Sequence, residues 1–348
     1  MRSPSLNQLP LPSSDRTGWF WIEESFRPSD VMPDGSLWPK ISVIIPNYNY
    51  GQFIEETIRS ILLQGYPNLE CIIIDGASTD NSVEIIKNYE PWLTYWTSEK
   101  DKGQSDAINK GMKKSSGEIL SWICSDDIFQ KDVLQKVAIK FKETPDCHFL
   151  TGDGYYFTGI NNVLHYIKGA EYKLIDLLDY DLDKYLPQPS VFFSRIAWQD
   201  CGPLSLKADY TMDLELWFKI RSRYYLYYLP CTIAGLRFHD FSKVSSKNIH
   251  FTKAVRKLML EKIKLAPAYL WPYYLMRWNS FYSKYLFYTA RKGLIIGFFW
   301  TGKLFILSLC YSPFEFIRSF KTHFTIRTIK RNVKVCFRNK INLFKIKN

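Results

Sequence analysis

The sequence lacks any paired arrangement of its cysteines. The seven cysteines are odd in number and widely spaced, and no two of them form a Cys-x-x-Cys pattern. This argues against both a disulfide framework and a cysteine zinc site. Unpaired cysteines are typical of a reducing compartment, and residues 1–15 show no basic start followed by an apolar run, as a secretory signal peptide would. We therefore expect the chain to act in the cytoplasm.

The common nucleotide-binding loops are also missing. No GxxxxGK[ST] loop and no G-x-G-x-x-G turn follows any of the predicted strands. Their absence argues against kinases, P-loop NTPases and dehydrogenases. Any nucleotide phosphates must be held in another way.

Acidic residues are almost absent from residues 262–348. This segment carries seventeen Lys and Arg but a single acid, Glu315, and so has a net charge of +16. Because the whole chain carries +12, residues 1–261 carry −4. A nucleic-acid-binding protein usually has its basic surface on the folded recognition domain, whereas here the charge is mixed with aromatic and aliphatic residues in the tail. The pattern favours an anionic membrane surface, not nucleic acid, as a partner.

Hydrophobic periodicity predicts alternating strands and helices over the first half of the chain. Short apolar runs predict buried strands at residues 41–45, 71–74, 93–97 and 119–123, and helical spacing predicts helices at 53–63, 83–89, 106–114 and 132–142. Such alternation is typical of a doubly wound α/β sheet, in which ligands bind beyond the carboxyl ends of the strands.

Two adjacent carboxylates directly after the fourth strand, in Ser125-Asp126-Asp127, are the strongest local signal for chemistry. Hard divalent cations such as Mg²⁺ take oxygen ligands, often one or two carboxylates together with substrate phosphates. A helix cap would use the same residues, so the pair alone leaves both interpretations open.

The order of several motifs resembles the family 2 glycosyltransferases. The motifs are Pro46-Asn47-Tyr48-Asn49, Ser60-Ile61-Leu62-Leu63-Gln64, Asp75-Gly76-Ala77-Ser78-Thr79-Asp80, Glu99-Lys100-Asp101-Lys102-Gly103-Gln104, Asn109-Lys110-Gly111, Gly117-Glu118 and Ser125-Asp126-Asp127. The resemblance covers residues 40–245 and implies the GT-A fold, a doubly wound, Rossmann-like mixed sheet.

The resemblance also implies a nucleotide diphosphate sugar as donor and a divalent metal, Mg²⁺ or Mn²⁺, as cofactor. It implies donor contacts by Pro46, Tyr48, Asn49, Asp75, Lys102, Gly103, Gln104, Ser125 and Asp126, with Asp127 on the metal. One departure affects the base: many relatives carry two acids where this chain has Asp75-Gly76, and the second acid contacts the base. UDP, GDP and dTDP sugars all remain open as donors.

An inverting transfer needs a base that accepts the proton of the acceptor hydroxyl, and carboxylates suit this role. The resemblance assigns the role to Asp213, in an acidic stretch before a helix ending in Leu216-Trp217. An acid in the first turn of a helix is also favoured by the helix dipole without any catalytic role.

Further residues are assigned by the same resemblance. It implies that His239 of Arg237-Phe238-His239 faces the diphosphate and joins the metal site, although a packed or surface histidine fits the pattern too. It also implies that Gln188, Ser190 and Glu215 lie on the acceptor side, where Gln188 and Ser190 can equally serve a turn.

These patterns divide the chain into an extended lead-in (1–39), a glycosyltransferase domain (40–245) and a basic, aromatic-rich helical extension (246–348). Within the domain, residues 40–130 form the nucleotide-sugar half and 147–245 the acceptor half. Residues 294–313 are long enough to cross a bilayer, but Lys303 near the middle would cost about 2.5–3.5 kcal/mol on insertion. An interfacial helix, a helix packed on the domain and a single span all stay open, with the interfacial form favoured.

The sequence predicts an inverting glycosyltransferase of polysaccharide or glycolipid biosynthesis, bound peripherally to the inner face of the membrane and acting on a glycan or lipid-linked acceptor. One alternative is a nucleotidyltransferase, which usually opens with a Gly-rich, basic loop that is missing after Ile45. The other is a non-catalytic module that binds a nucleotide sugar or a membrane, which needs no base at Asp213.

Overall fold

The structure is a computed structural model that describes residues 3–159, 162–179, 185–208, 210–239 and 249–293, together with positions 306, 310 and 313. It divides into two compact units, Met1–Ser246 and Lys247–Asn348. The first unit contains the sheet and the candidate site.

The first unit is built from nine strands and six α-helices among the described residues. The strands are β1 (Ile41–Asn47), β2 (Leu69–Asp75), β3 (Tyr95–Ser98), β4 (Ile119–Trp122), β5 (Ile128–Phe129), β6 (Phe149–Gly159), β7 (Asn162–Ile167), β8 (Val191–Ser194) and β9 (Tyr227–Arg237). The helices are α1 (Gly51–Leu62), α2 (Ser82–Tyr89), α3 (Gln104–Lys114), α4 (Val133–Glu143), α5 (Arg195–Cys201) and α6 (Met212–Arg221). Short 3-10 helices lie at Leu6–Gln8, Glu90–Trp92, Asp176–Asp179 and Gln188–Ser190.

The strands form one mixed sheet in the order β3-β2-β1-β4-β8-β6-β9-β5, with β7 paired to β6. β3, β2, β1 and β4 are parallel, and β8 continues the sheet antiparallel to β4. The predicted doubly wound, Rossmann-like mixed sheet is therefore confirmed. Because Asn47 pairs with Asp75, and Ile44 pairs with Trp122, the polar residues after β1, β2 and β4 all lie at one edge of the sheet.

Both faces of β1, β2 and β4 are covered, which explains why these strands are mostly apolar. Val43 and Ile45 of β1 share a buried cluster with Ile54 of α1, on one face. Ile44 points to the other face, where α3 packs so closely that a Cβ at Gly111 would lie 2.5 Å from the Ile44 Cγ2. Each predicted strand and helix up to residue 142 is present with small shifts at its ends. For example, α4 begins one residue late because Asp132 is left-handed, with φ 62°.

The lead-in, residues 3–39, packs on α1 through buried rings and one buried guanidinium. Phe20 and Trp21 are 0% and 1% exposed, within the main core. Arg59 of α1 is also fully buried and donates to the carbonyl oxygens of Phe20 (2.6 Å), Trp21 (3.1 Å) and Pro10 (2.9 Å). These bonds satisfy backbone groups that no strand or helix satisfies.

The second unit contains α7 (Ile249–Lys262) and α8 (Trp271–Gly293), linked by 3-10 turns at Ile263–Leu265 and Ala268–Leu270. The two helices pack on each other, and Tyr274, Trp278 and Tyr282 of α8 are buried at helical spacing. Within the described residues, no helix has the length and apolar character needed to span a bilayer. The predicted segment 294–313 lies outside the described residues, apart from its three isolated positions.

We predict that Arg59→Met lowers the free energy of unfolding by about 3–5 kcal/mol, because several buried carbonyl oxygens lose their donor. Urea unfolding of the full chain measures this loss. The matched control is Arg223→Met, whose guanidinium is 57% exposed and 3.6 Å from Asp200, and which should change stability by about 0–1 kcal/mol. Equal losses in the two variants would contradict the prediction.

Candidate active site

The two adjacent acids after β4 are buried and rigidly held. Asp126 and Asp127 are 9% and 6% exposed. The Thr57 hydroxyl of α1 donates to the Asp127 carbonyl oxygen at 2.7 Å, and the Asp127 N–H donates to the Cys124 carbonyl oxygen at 3.0 Å. The Asp127 Oδ1 accepts the backbone N–H of Arg237 at 2.9 Å. Helix α1 and strand β9 therefore fix both the backbone and the carboxylate of Asp127.

Arg237, the last residue of β9, supplies positive charge beside this pair. Its Nε donates to the Asp126 carbonyl oxygen at 2.9 Å, and its guanidinium is paired with the buried carboxylate of Glu56. The guanidinium also lies over the rings of Phe53 and Phe157, at 4.8 and 4.4 Å from their centres. These contacts hold the cation close to the acids without exposing it to water.

Glu56 extends the network into the lead-in. Its Oε1 accepts from Arg16 Nη1 at 2.9 Å, while its Oε2 contacts Arg237. Arg16 is partly exposed, and its guanidinium also lies 4.8 Å above the Trp21 ring. A chain of charges therefore runs from the lead-in to the buried acids.

The electrostatics of the pair suit a cation. Burial raises the pKa of the Asp127 carboxyl well above its ordinary value, and the negative charge of Asp126 raises it further, against the opposing effect of Arg237. Ligand atoms of Cys124, Asp126 and Asp127 all lie within 4.8 Å of one another. Two carboxylates are the ligands that Mg²⁺ and Mn²⁺ prefer, so the residues fit the metal implied by the sequence. Sequence reasoning missed Cys124, although it stands only two residues before Asp126.

His239 follows β9 and contacts the acids through Asp126. Its Nε2 lies 2.9 Å from Asp126 Oδ2, and its ring packs against Tyr50 and Phe53 at 5.6 and 4.8 Å. The structure thus brings His239 to the predicted site, but beside Asp126 and outside the three-residue group with Cys124 and Asp127. Its role as a metal ligand stays a prediction.

Asp75, at the end of β2, is entirely buried and already accepts several hydrogen bonds. It accepts from Asn47 Nδ2 at 2.7 Å, from Ser98 Oγ at 2.6 Å and from the Ser78 N–H at 2.9 Å. Its carboxylate therefore joins the ends of β1 and β3 to the following loop, and its predicted contact with a donor stays a prediction.

The other residues predicted near the nucleoside lie around the same edge. Pro46 is buried inside β1, whereas Tyr48 is 59% exposed. Asn49 is left-handed (φ 55°), and its Oδ1 accepts the Thr79 N–H at 2.8 Å. Of these residues, Tyr48 offers the largest surface to a ligand.

Cys124 lies between the start of α3, which carries predicted donor residues, and Gln188, a predicted acceptor residue. Gly103 has φ 101° and turns the chain into α3, with Lys102 exposed beside it. Gln104 Nε2 lies 3.1 Å from Cys124 Sγ, which in turn lies 3.7 Å from Gln188 Oε1. The structure therefore brings together a predicted donor residue and a predicted acceptor residue through a thiol.

Two predicted acceptor residues differ in their surroundings. Ser190 is completely buried, and its hydroxyl donates to the Asp153 carbonyl oxygen at 2.9 Å, which supports the turn interpretation for this side chain. Glu215 is half-buried in the first turn of α6.

Ser125, a predicted donor residue, is buried directly before the two acids.

Asp213 lies in the first turn of α6, half-buried, where its Oδ1 accepts the Leu214 N–H at 2.8 Å. The helix is held against β4 by Trp217, whose ring stacks on Trp122 at 5.3 Å and 18°. Burial raises the pKa of Tyr156 to about 12; its contact with Tyr185 opposes this rise, and the charges of Asp127 and Asp213 add to it. The charges of Asp127 and Asp213 therefore both act on the half-buried Tyr156 phenol.

We predict that Glu56→Gln lowers the free energy of unfolding by about 3–5 kcal/mol and weakens Mn²⁺ binding, because the buried Arg237 loses its counter-charge. Urea unfolding and calorimetric Mn²⁺ titration of the full chain measure the two effects. The control is the neighbouring Glu55→Gln, where the carboxylate accepts from the Tyr89 hydroxyl at 2.7 Å and contacts no cation among the residues that the structure describes. Equal stability and Mn²⁺ affinity in the two variants would refute the coupling.

Comparison with known proteins agrees with this geometry. The profile of the family described as Glycosyl transferase family 2 matches residues 42–197. A candidate teichuronic acid biosynthesis glycosyltransferase of Bacillus subtilis, TuaG, is 35% identical over 116 residues, which are 32% of this chain and 45% of that protein. The aligned part thus covers less than half of that relative's length.

Two solved structures have a similar fold. TarS residues 1–349 of S. aureus in complex with UDP-GlcNAc has a TM-score of 0.51 at 17% identity, over 78% of this chain and 79% of that one. The mannosyltransferase PcManGT of Pyrobaculum calidifontis, in complex with GDP-Man and Mn²⁺, has a TM-score of 0.53 at 19% identity, over 85% and 87%. The profile match identifies residues 42–197 as a family 2 glycosyltransferase domain, and the sheet order together with the two solved structures shows that it has the GT-A fold.

Proposed function

We propose that the chain moves a sugar from a nucleotide diphosphate sugar to a hydroxyl of a glycan or lipid-linked acceptor, with inversion at the anomeric carbon. The observation that supports this proposal most strongly is that the acids lie in two separate environments. Asp126 and Asp127 are buried as a pair beside Arg237, while Asp213 lies apart from them in the first turn of α6. Two separate carboxylate environments suit two separate roles, donor binding and proton removal.

Asp126 and Asp127 would hold the metal and the donor diphosphate. The ligands in two solved neighbours, UDP-GlcNAc in one and GDP-Man with Mn²⁺ in the other, support a nucleotide sugar and a divalent metal. A bound Mg²⁺ or Mn²⁺ would supply positive charge for the departing nucleoside diphosphate. Arg237 keeps the two acids in place through its contacts with Asp126 and Asp127, so they need no reorganisation when the donor binds.

Asp213 would accept the proton of the acceptor hydroxyl as that oxygen attacks the anomeric carbon. Its position in the first turn of α6 is fixed by the Trp217–Trp122 stack, and Ser105 Oγ at the start of α3 lies 2.9 Å from Met212 Sδ. These contacts hold the base relative to the donor side of the sheet, which is what an in-line displacement requires.

The acceptor is proposed to be a growing surface polysaccharide or a glycolipid, presented at the inner face of the membrane. The similarity to the Bacillus subtilis protein supports a polysaccharide acceptor. The second unit supports a membrane surface: Tyr269, Tyr273 and Met276 are 80%, 46% and 63% exposed, in a segment rich in Lys and Arg. Exposed aromatic residues among basic ones bind anionic bilayer surfaces.

We predict that Asp213→Asn lowers kcat by about 100-fold or more, because no group then accepts the hydroxyl proton. Nucleotide protection against thermal unfolding should persist, since the donor acids are unchanged. Glu215→Gln, in the same helical turn, should raise the KM for the acceptor and largely retain kcat. Turnover in the Asp213→Asn enzyme equal to wild type would remove Asp213 from the mechanism.

We predict that the triple variant Tyr269→Ser, Tyr273→Ser and Met276→Ser binds anionic phospholipid vesicles at least about tenfold more weakly than the wild type, because it loses apolar area that would enter the interface. Co-sedimentation of the full chain measures this. The control variant Leu11→Ser, Leu37→Ser and Tyr166→Ser changes side chains that are 92%, 78% and 66% exposed in the first unit. Equal binding by both triple variants would contradict the membrane role of the tail.

A further inference from the structure

The lead-in is anchored on both sides of Arg16. Before it, the Pro10 carbonyl oxygen accepts from Arg59 Nη1 at 2.9 Å. After it, the Trp19 indole N–H donates to the carbonyl oxygen of Phe129 at 2.8 Å. Phe129 belongs to β5, the strand that directly follows the two acids. The Arg16 side chain is therefore carried by a segment with a defined position, although it is 39% exposed.

Arg16 contacts the buried carboxylate of Glu56, which is shared between two arginines. Arg16 Nη1 donates to Glu56 Oε1 at 2.9 Å, and the Arg237 guanidinium pairs with Oε2. The Arg16 guanidinium also lies 4.8 Å from the centre of the Trp21 ring. Because the Glu56 side chain is only 7% exposed, an oxygen that loses its donor is poorly hydrated and costs free energy. Arg16 therefore fixes the orientation of the Glu56 carboxylate.

The orientation of Glu56 sets the direction of the Arg237 guanidinium. Arg237 Nε donates to the backbone carbonyl oxygen of Asp126, and the Arg237 N–H donates to Asp127 Oδ1, both at 2.9 Å. Among the residues that the structure describes, Glu56 is the only acid with which this guanidinium forms an ion pair. A guanidinium released from Glu56 would lie beside the two acids and would pair with their carboxylates. Such a pair would compete with a metal ion for the same oxygens.

We propose that Arg16 is a positioning residue of the metal site. By orienting Glu56, it keeps the Arg237 guanidinium away from the carboxylates of the two acids after β4, which therefore bind the cation. This inference rests on the proposed function, because it needs a metal at these acids. It assigns a role to a segment that precedes the region matched by the family profile, which begins at residue 42.

The sign of the effect on metal affinity separates positioning from simple electrostatics. Arg16 is positively charged, so its removal would by charge alone strengthen the binding of a cation to nearby acids. Loss of positioning has the opposite result, because Arg237 then competes with the cation. We expect Arg16→Met to bind Mn²⁺ about five- to tenfold more weakly than the wild type, which is at or below the usual effect of a group that contacts a ligand directly.

Calorimetric titration of the full chain with Mn²⁺ measures this affinity. Arg16→Lys should stay within about twofold of the wild type, because an ammonium group also donates to Glu56 Oε1. The matched control is Lys131→Met, which removes the cation of another ion pair with the lead-in, 3.1 Å from Glu23 and 40% exposed. It should weaken Mn²⁺ binding by no more than about twofold. The melting temperature of Arg16→Met should fall by no more than about 4 °C, so the protein is folded during the titration.

A double-mutant cycle tests whether Arg16 acts through Glu56. In a Glu56→Gln background, Arg16→Met should cause less than about a twofold further loss of Mn²⁺ affinity, because the carboxylate that it orients is gone. Losses that multiply would show that Arg16 acts by another route, and would overturn the inference. If the Glu56→Gln protein does not fold, the comparison of Arg16→Met with Arg16→Lys decides alone.

Three further results would overturn the inference while leaving the metal site intact. They are unchanged or tighter Mn²⁺ binding by Arg16→Met, an equal loss in Arg16→Lys, and an equal loss in Lys131→Met. A wild type that binds no Mn²⁺ would instead overturn the proposed metal, and the inference with it.

Discussion

The structure depends on burying two adjacent carboxylates, Asp126 and Asp127, at the edge of a parallel sheet. Such a pair is strongly disfavoured unless positive charge and hydrogen-bond donors compensate it. Arg237 supplies both, through a backbone N–H to one acid and a guanidinium beside the other. Because Arg237 is itself buried, it requires the counter-charge of Glu56. Burying this pair of acids, which would bind a metal, therefore requires an arginine on β9 and a glutamate on α1 close to it.

This compensation connects the site to a part of the chain that the family profile does not include. The profile begins at residue 42, whereas Arg16 of the lead-in contacts Glu56, and the lead-in carbonyls are bound by Arg59 on the same helix. Glu56 and Arg59 lie three residues apart on α1 and are therefore neighbours on the helix surface. The lead-in thus stabilises the helix that carries Thr57, which in turn holds the backbone of Asp127.

The features of the fold that depend on local sequence patterns were predictable. The buried strands of the parallel half are apolar on both faces, and this pattern predicted β1, β2 and β4 and the edge where their polar ends meet. The order of the motifs predicted the family and the position of Asp126 and Asp127. Contacts between distant residues had no such local signal. The ion pair of Glu56 with Arg237 joins residues 181 positions apart, and no periodicity records it.

The amino-acid sequence alone determined the fold class and the acids at the strand ends, because strand and helix periodicities follow from backbone geometry. Only the tertiary structure decided which contacts each polar residue makes, and so which role it can have. Asp75, the last residue of β2, is fully buried and hydrogen-bonded, whereas the carboxylate of Asp101, from the loop before α3, lies close to where a side chain at position 76 would begin. The reason is that a carboxylate's role depends on which donors surround it, and packing across the sheet edge brings those donors together from separate segments.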